Sequence, residues 1–153
     1  MTTKTLSKSE IKELNKQTQE LYGEELFTKK DFIQVINEPR KHITKNKEPT
    51  LFFHDEKPVP LLKFLMKKPL LKKITVDMGA VKFVCNGADI MRPGITEADE
   101  NIQKDEFVVI IDEKNNAPLA VGKTILSAQE IKEQETGKTI KNLHFVADEL
   151  WNL

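Results

Sequence analysis

The stretch VDMGAVKFVCNGADIMRPGIT, residues 76–96, gathers side chains suited to contact an anionic ligand. Lys82 and Arg92 could neutralise phosphate, the contact that supplies most sequence-independent affinity for nucleic acid. Asn86 follows Lys82 by four positions and would share its helical face. Gly79 and Ala80 would leave main-chain N–H groups bare at a helix N-terminus, where the dipole favours an anion. Gly87-Ala88 and Pro93-Gly94 present almost no side chain, so a ribose or a base edge could lie flat against them. Gly79, Gly87 and Gly94 are half of the six glycines in the chain. Glycine carries an entropic cost and is placed where a chain turns tightly or where something approaches closely. Structural corners and a cleared surface are therefore both open readings of this window, while Gly122 reads as a corner.

Other chemistry finds little footing. The three glycines are too widely spaced for a dinucleotide fingerprint, and no lysine follows them as in a phosphate loop. GxSxG, HExxH and paired Cys/His signatures are absent, so no catalytic residue is assigned. His42, His54 and His144 lie far apart and Cys85 is the single cysteine, so no metal, cofactor or internal disulfide is expected. His144, amid apolar strand residues, reads as a hydrogen-bonded barrel residue, Cys85 as core, and Trp151 as a plug of that core. MTTKTLSKSEIKELNKQ lacks an apolar signal segment, and no apolar run approaches the ~20 residues a bilayer requires. The expectation is a cytoplasmic, non-enzymatic protein without a membrane partner.

The elements that must position the window fall into two stretches of different texture. The net charge of zero hides a division: residues 1–72 carry 15 Lys+Arg against 10 Asp+Glu, residues 73–153 carry 9 against 14. Charge asymmetry of this kind prompts a search for an anionic partner, although a lysine-rich solvated surface also accounts for it. In the first stretch, Ser7 and Glu10 fit a capping box for a helix carrying Ile11, Leu14 and Leu21 and stopped at Gly23. A second helix is predicted from Thr28, with Asp31 at the capping-box position, Phe32, Val35 and Ile36 inside, and Pro39 at its end. LFFHDEKPVP reads as strand, turn and return, with Pro58 and Pro60 confining the return to an edge. Pro60 then suits the first turn of a short helix, LLKFLMKK, that Pro69 stops.

In the second stretch, Ile74–Asp77 is a predicted strand and Asp77 caps a helix running through GAVKFVCN to Gly87. Ala88–Met91 is extended and Pro93-Gly94 turns. FVVII, Phe107–Ile111, has the continuous apolar character of a strand covered on both faces. Asp112–Asn116 is its turn, and Leu119–Leu126 returns with a bulge or close approach at Gly122. Ser127 and Glu130 cap another short helix, and Ile140–Val146 is the last strand. Short strands with turn signals between them suggest a compact barrel.

VDMGAVKFVCNGADIMRPGIT, then DEFVVIIDEKNNAPLAVGKTILSAQEI, then GKTIKNLHFVADELW, together resemble the PUA domain from end to end. Upstream, LFFHDEKPVPLLKFLMKKP looks like the pre-PUA region of the malignant T-cell-amplified-sequence family and its archaeal relatives. The resemblance covers residues 50–153 well and residues 1–49 loosely. It implies an α+β fold: a small N-terminal α/β pre-PUA domain over residues 1–72, then a PUA-type mixed β-barrel over 73–153. It also implies RNA binding without catalysis, through Gly79, Ala80, Lys82, Asn86, Gly87, Ala88, Arg92, Pro93 and Gly94. The implied partners are tRNA, gripped at its acceptor stem and 3′ end, or ribosomal RNA, with the small ribosomal subunit and a second translation-factor protein in initiation or recycling. An accessory subunit that delivers RNA to a modification enzyme, and a protein-interaction module, are the alternatives. One departure touches a loop: Lys104 stands before Asp105, where the family often has glycine.

Overall fold

The computed structural model describes residues 2–153. The chain forms two compact units, the first reaching Leu70 and the second spanning Leu71–Asn152.

The first unit begins with strand β1, Thr3–Thr5, and helix α1, Lys8–Tyr22. The capping box is present: Ser7 Oγ accepts from Glu10 N at 3.3 Å, and Glu10 Oε1 accepts from Ser7 N at 3.0 Å. Gly23 closes α1 in the left-handed conformation, φ 78°. Strands β2, Ile33–Ile36, β3, His42–Lys45, β4, Glu48–His54, and β5, Lys57–Pro60, then add antiparallel to β1 in the order β1-β2-β3-β4-β5. Helix α2, Leu62–Lys67, ends the unit. Ile11 and Leu14 of α1 bury against Phe27, Ile33, Ile43 and Leu51, which makes this unit an α+β layer. β5, with Pro58 and Pro60, is an edge strand as expected, because proline offers the ladder no N–H.

The helix predicted from Thr28 to Pro39 does not form. Thr28 and Asp31 do close a local turn, with Thr28 N donating to Asp31 Oδ2 at 2.8 Å. The chain leaves that turn as β2, pairing Val35 with Lys4 on one side and Ile43 on the other. Ile33 and Val35 face the core with a period of two, whereas Phe32, assigned to a helical inner face, is exposed. β-branched residues favour the pleated surface once neighbouring strands exist to receive them. Pro60 likewise ends β5 rather than opening α2, whose N-cap is Leu61.

In the second unit, β6, Lys72–Val76, leads into helix α3, Met78–Val84, and then β7, Ile90–Met91. A 3-10 turn over Arg92–Gly94 joins β7 to β8, Ile95–Ala98. β9, Phe107–Asp112, β10, Pro118–Thr124, helix α4, Ala128–Glu133, and β11, Lys138–Phe145, follow. The sheet order is β7-β11-β10-β9-β6-β8, with β6 parallel to β9 and the other pairings antiparallel. Its two end strands, β7 and β8, are consecutive in sequence and one short turn apart, so the sheet must curl until its ends meet. This curled mixed sheet is the PUA-type mixed β-barrel that the resemblance implies, open enough to be a half-barrel.

Ile74, Val76, Val84, Ile90, Val108, Ile110 and Ile140 fill its interior. β9 is buried along its whole length, as its unbroken apolar run requires. The turn after it is held by Asp112, whose carboxylate accepts from Lys114 N at 2.9 Å and Asn115 N at 2.5 Å. Gly122 sits where the β10–β11 register slips. A Cβ there would lie 2.5 Å from Ile140 Cγ2 and 2.6 Å from the Lys141 carbonyl oxygen, so the close approach predicted for Gly122 is real. At the departure from the family pattern, Asp105 rather than Lys104 takes the left-handed conformation, φ 66°, which aspartate tolerates. His144 is fully buried, with Nδ1 2.9 Å from Asp148 Oδ2. Trp151 is half-buried.

Candidate nucleic-acid interface

α3 exists because Asp77 caps it and one side of it is apolar. Asp77 is extended, φ −71° and ψ 165°, and its Oδ1 accepts from Ala80 N at 2.9 Å. Val84 is buried, and Ala80, Val81 and Cys85 pack against the barrel core. The opposite side carries Gly79, Lys82, Phe83 and, just past the helix, Asn86, at spacings of three, four and seven from Gly79. All four are exposed.

The fold brings the two glycine-bearing turns to the two ends of this helix. At the start, Asp77 N donates to the Gly94 carbonyl at 2.9 Å, which docks the 3-10 turn against α3. A Cβ on Gly94 would stand 3.2 Å from Ala80 Cβ, so the glycine allows that approach. At the far end, Gly87 N donates to Val84 O at 3.0 Å and Ala88 N to Phe83 O at 3.0 Å. Gly87 has φ +91°, and a Cβ on it would meet the Phe145 ring at 3.0 Å. Ala88 and Pro93 are exposed, while Gly87 and Gly94 are half-buried.

Three details change how the window can work. First, two of the N–H groups at the start of α3 are already engaged. Ala80 N is held by Asp77, and Met78 N faces Glu113 Oε1 at 3.4 Å. Two carboxylates thus take the Met78 and Ala80 donors and stand beside the anion site predicted at Gly79 and Ala80, which disfavours a phosphate there.

Second, the two cations differ. Lys82 is exposed and its Nζ lies over the Phe83 ring, 5.6 Å from the centroid. Arg92 is half-buried and donates from Nε to Ile131 O at 2.6 Å and from Nη1 to Ile95 O at 3.1 Å. It ties the start of β8 to α4 across the point where the sheet closes.

Third, Phe83 is 58% exposed, which sequence reading missed. Its signal was available: Gly79, Lys82, Phe83 and Asn86 form an i, i+3, i+4, i+7 stripe opposite Val81, Val84 and Cys85. Met78 and Met91 are exposed large apolar residues of the same window.

Asn142 of β11 also contributes, donating from Nδ2 to Val84 O at 3.1 Å and Ala88 O at 3.0 Å. It fixes the shape of the loop after α3. Asp89 accepts from Asn142 N at 2.9 Å and pairs with Lys138 at 2.9 Å. Burial pushes the Asp89 carboxyl up, but these partners outweigh it and hold the pKa below the usual carboxylate range. Burial alone pushes the Cys85 thiol up, which makes it a poor nucleophile. The histidines do not converge: His42 Nδ1 meets Arg40 O at 2.7 Å, His54 pairs with Asp55, and His144 with Asp148. Among the described residues, no group of three or more His, Cys, Asp or Glu side chains is placed to hold a metal ion. Nor is any helix among them long and apolar enough to cross a membrane.

In the first unit, Lys8, Lys12 and Lys16 recur every four residues along α1 and are exposed. They carry part of the local positive charge that the sequence showed.

Comparison with known proteins bears on this geometry. Residues 72–146 match the PUA domain. An uncharacterised protein of Methanocaldococcus jannaschii is 40% identical over 96% of this chain and 93% of that protein. Translation machinery-associated protein 20 of Schizosaccharomyces pombe is 39% identical over 84% of this chain and 75% of that protein. A crystal structure of a hypothetical protein from Pyrococcus horikoshii superposes with a TM-score of 0.85 at 33% identity, covering 99% of this chain and 98% of that one.

Proposed function

Because the chain belongs to the family of malignant T-cell-amplified-sequence proteins and translation machinery-associated protein 20, with its C-terminal PUA domain, we propose that it is a non-catalytic RNA-binding protein of the translation apparatus. It acts in the cytoplasm, on tRNA or on the RNA of the small ribosomal subunit, beside a second protein factor. The interface is the exposed side of α3 with the turns at its two ends: Gly79, Lys82, Asn86, Gly87, Ala88, Pro93 and Gly94, while Ala80, packed on the barrel core, lets the Gly94 turn approach.

The observation that carries this reading is the low, uncluttered wall formed by these residues around one exposed ammonium, Lys82. Arg92 supports the wall from beneath, and Lys82 makes the phosphate contact. The second unit as a whole is acidic, so long-range attraction comes from the lysines of the first unit, Lys8, Lys12 and Lys16 among them.

Binding of tRNA measured against salt concentration tests the reading. Each phosphate contact contributes about one unit to the slope of log K against log salt. Lys82→Ala is expected to flatten that slope by about one unit. An unchanged slope and affinity removes Lys82 from the interface, and a parent protein that binds no RNA at any salt concentration removes the interface altogether.

A further inference from the structure

The three glycines of the window do not stand on equal ground. Gly87 is required by its positive φ and by the Phe145 ring, and Gly94 by its approach to Ala80. Gly79 is required by neither. Its backbone is ordinary helix, and beyond its own helix a Cβ would meet only Asp77 Oδ1, at 3.4 Å, an ordinary contact. Alanine would fit there and would suit a helix better.

Gly79 lies one turn before Phe83, and helical side chains lean toward the N-terminus, so the residue at 79 borders the ground beside the Phe83 ring. That ring is 58% exposed, which forgoes most of the burial a phenylalanine ordinarily gains. The Lys82 ammonium stands over it at 5.6 Å. An exposed ring, a clear floor beside it and a cation above it match the three parts of one nucleotide: base, sugar edge and phosphate. With Arg92 engaged on main-chain carbonyls, Lys82 is the exposed cation of this window, and stacking on the neighbouring aromatic face adds to its phosphate contact.

We propose that Phe83, with the space left open over Gly79, is a stacking shelf for one unpaired nucleobase of the bound RNA, and that Lys82 holds the adjoining phosphate. This rests on the RNA-binding reading above and adds that the ligand presents an unpaired base at α3. A duplex with no unpaired end cannot use the shelf, because its bases are already stacked on one another.

The test compares a short RNA hairpin carrying an unpaired 3′ tail, the same hairpin made blunt, and the tailed hairpin with abasic sites in its tail. The full-length parent, Phe83→Ala, Phe83→Tyr and Gly79→Ala are each titrated with all three, and Trp151 fluorescence on heating checks that each variant is folded. The parent is expected to prefer the tailed hairpin. Phe83→Ala should lose roughly five- to a hundredfold in affinity for it, the range for one base–aromatic stack, with no comparable loss on the abasic tail. Phe83→Tyr, which keeps the ring, should bind like the parent. Gly79→Ala should weaken the tailed complex while its unfolding temperature stays the same or rises. Parent-like binding of the tailed hairpin by Phe83→Ala, or equal losses on intact and abasic tails, overturns the shelf while leaving phosphate-driven RNA binding in place. Absence of salt-dependent binding to any of the three hairpins by the parent overturns both.

Discussion

Replacing Gly122 and Gly79 separately with alanine asks the fold what each glycine is for. At Gly122 the new methyl group would sit 2.5 Å from Ile140 Cγ2 and 2.6 Å from the Lys141 carbonyl oxygen. The first contact can be eased by a side-chain shift. The second is to main chain, at the point where β10 and β11 already slip register, so relief means moving a strand. Overpacking of this kind costs about 1–3 kcal/mol, and the backbone clash places Gly122→Ala toward the upper end. For a domain of this size that is a fall in Tm on the order of 10–20 °C. At Gly79 the nearest new contact is 3.4 Å, and the helix gains up to about 1 kcal/mol in propensity, less in a first turn. Gly79→Ala is therefore expected to leave Tm unchanged or raise it by a few degrees. Trp151 is the single tryptophan and lies in the second unit, so thermal unfolding followed by its fluorescence reads this unit directly. A Gly122→Ala protein as stable as the parent would refute the close-packing account of that position. A Gly79→Ala protein as unstable as Gly122→Ala would refute the claim that Gly79 is free of structural duty.

Arg92→Ala should destabilise the second unit by about 1.5–3 kcal/mol, since it removes a charged donor from two main-chain carbonyls at the sheet closure. Urea unfolding of this variant with a midpoint equal to the parent's would show that the clamp contributes nothing. Asp148 gives a pH prediction. Burial is the largest influence and pushes its pKa up, but hydrogen bonds from His144 and from the N–H groups of Phe145 and Trp151 outweigh it and leave the carboxyl below its ordinary range. A carboxylate with a depressed folded-state pKa contributes stability above its unfolded value, about 3.9, and loses it as pH falls through the folded value. Unfolding free energy should therefore hold its Asp148 contribution down to about pH 4 and lose it below, and Asp148→Asn should be less stable at pH 7 with a shallower acid limb. Identical acid limbs for the two proteins would contradict that linkage.

Much of the second unit was legible because its signals are local. Asp77 and the Ser127–Glu130 pair cap helices by hydrogen bonds that span three residues, and FVVII announces a strand covered on both faces. Gly122 and His144 were legible as a close approach and a satisfied buried residue, because each interrupts an apolar strand that tolerates nothing else. The features that escaped depend on distant partners. β2 has a helix-like start at Thr28 and Asp31, and only its neighbours β1 and β3, which carry weak signals of their own, make it a strand. The caps on α3 include Glu113, which arrives from a turn 35 residues away, so the Met78 N–H reads as free when it is not. Arg92 read as a ligand-facing cation because Ile131 and Ile95 offer it main-chain carbonyls, which have no sequence signature. Phe83 was the avoidable miss: its place on the Gly79–Lys82–Asn86 stripe was readable, but a phenylalanine in an apolar run is usually assigned to the core.

The central claim is that RNA meets this protein on the outer side of α3 and the two turns that flank it. Titrating the 15N-labelled full-length chain with tRNA, and following backbone amide shifts, tests it most directly. The account predicts that the largest changes fall on Gly79, Lys82, Phe83, Asn86, Ala88 and Gly94, with β9 and β10 nearly still. Changes that saturate with tRNA but leave those amides in place, clustering elsewhere on the second unit, would contradict it.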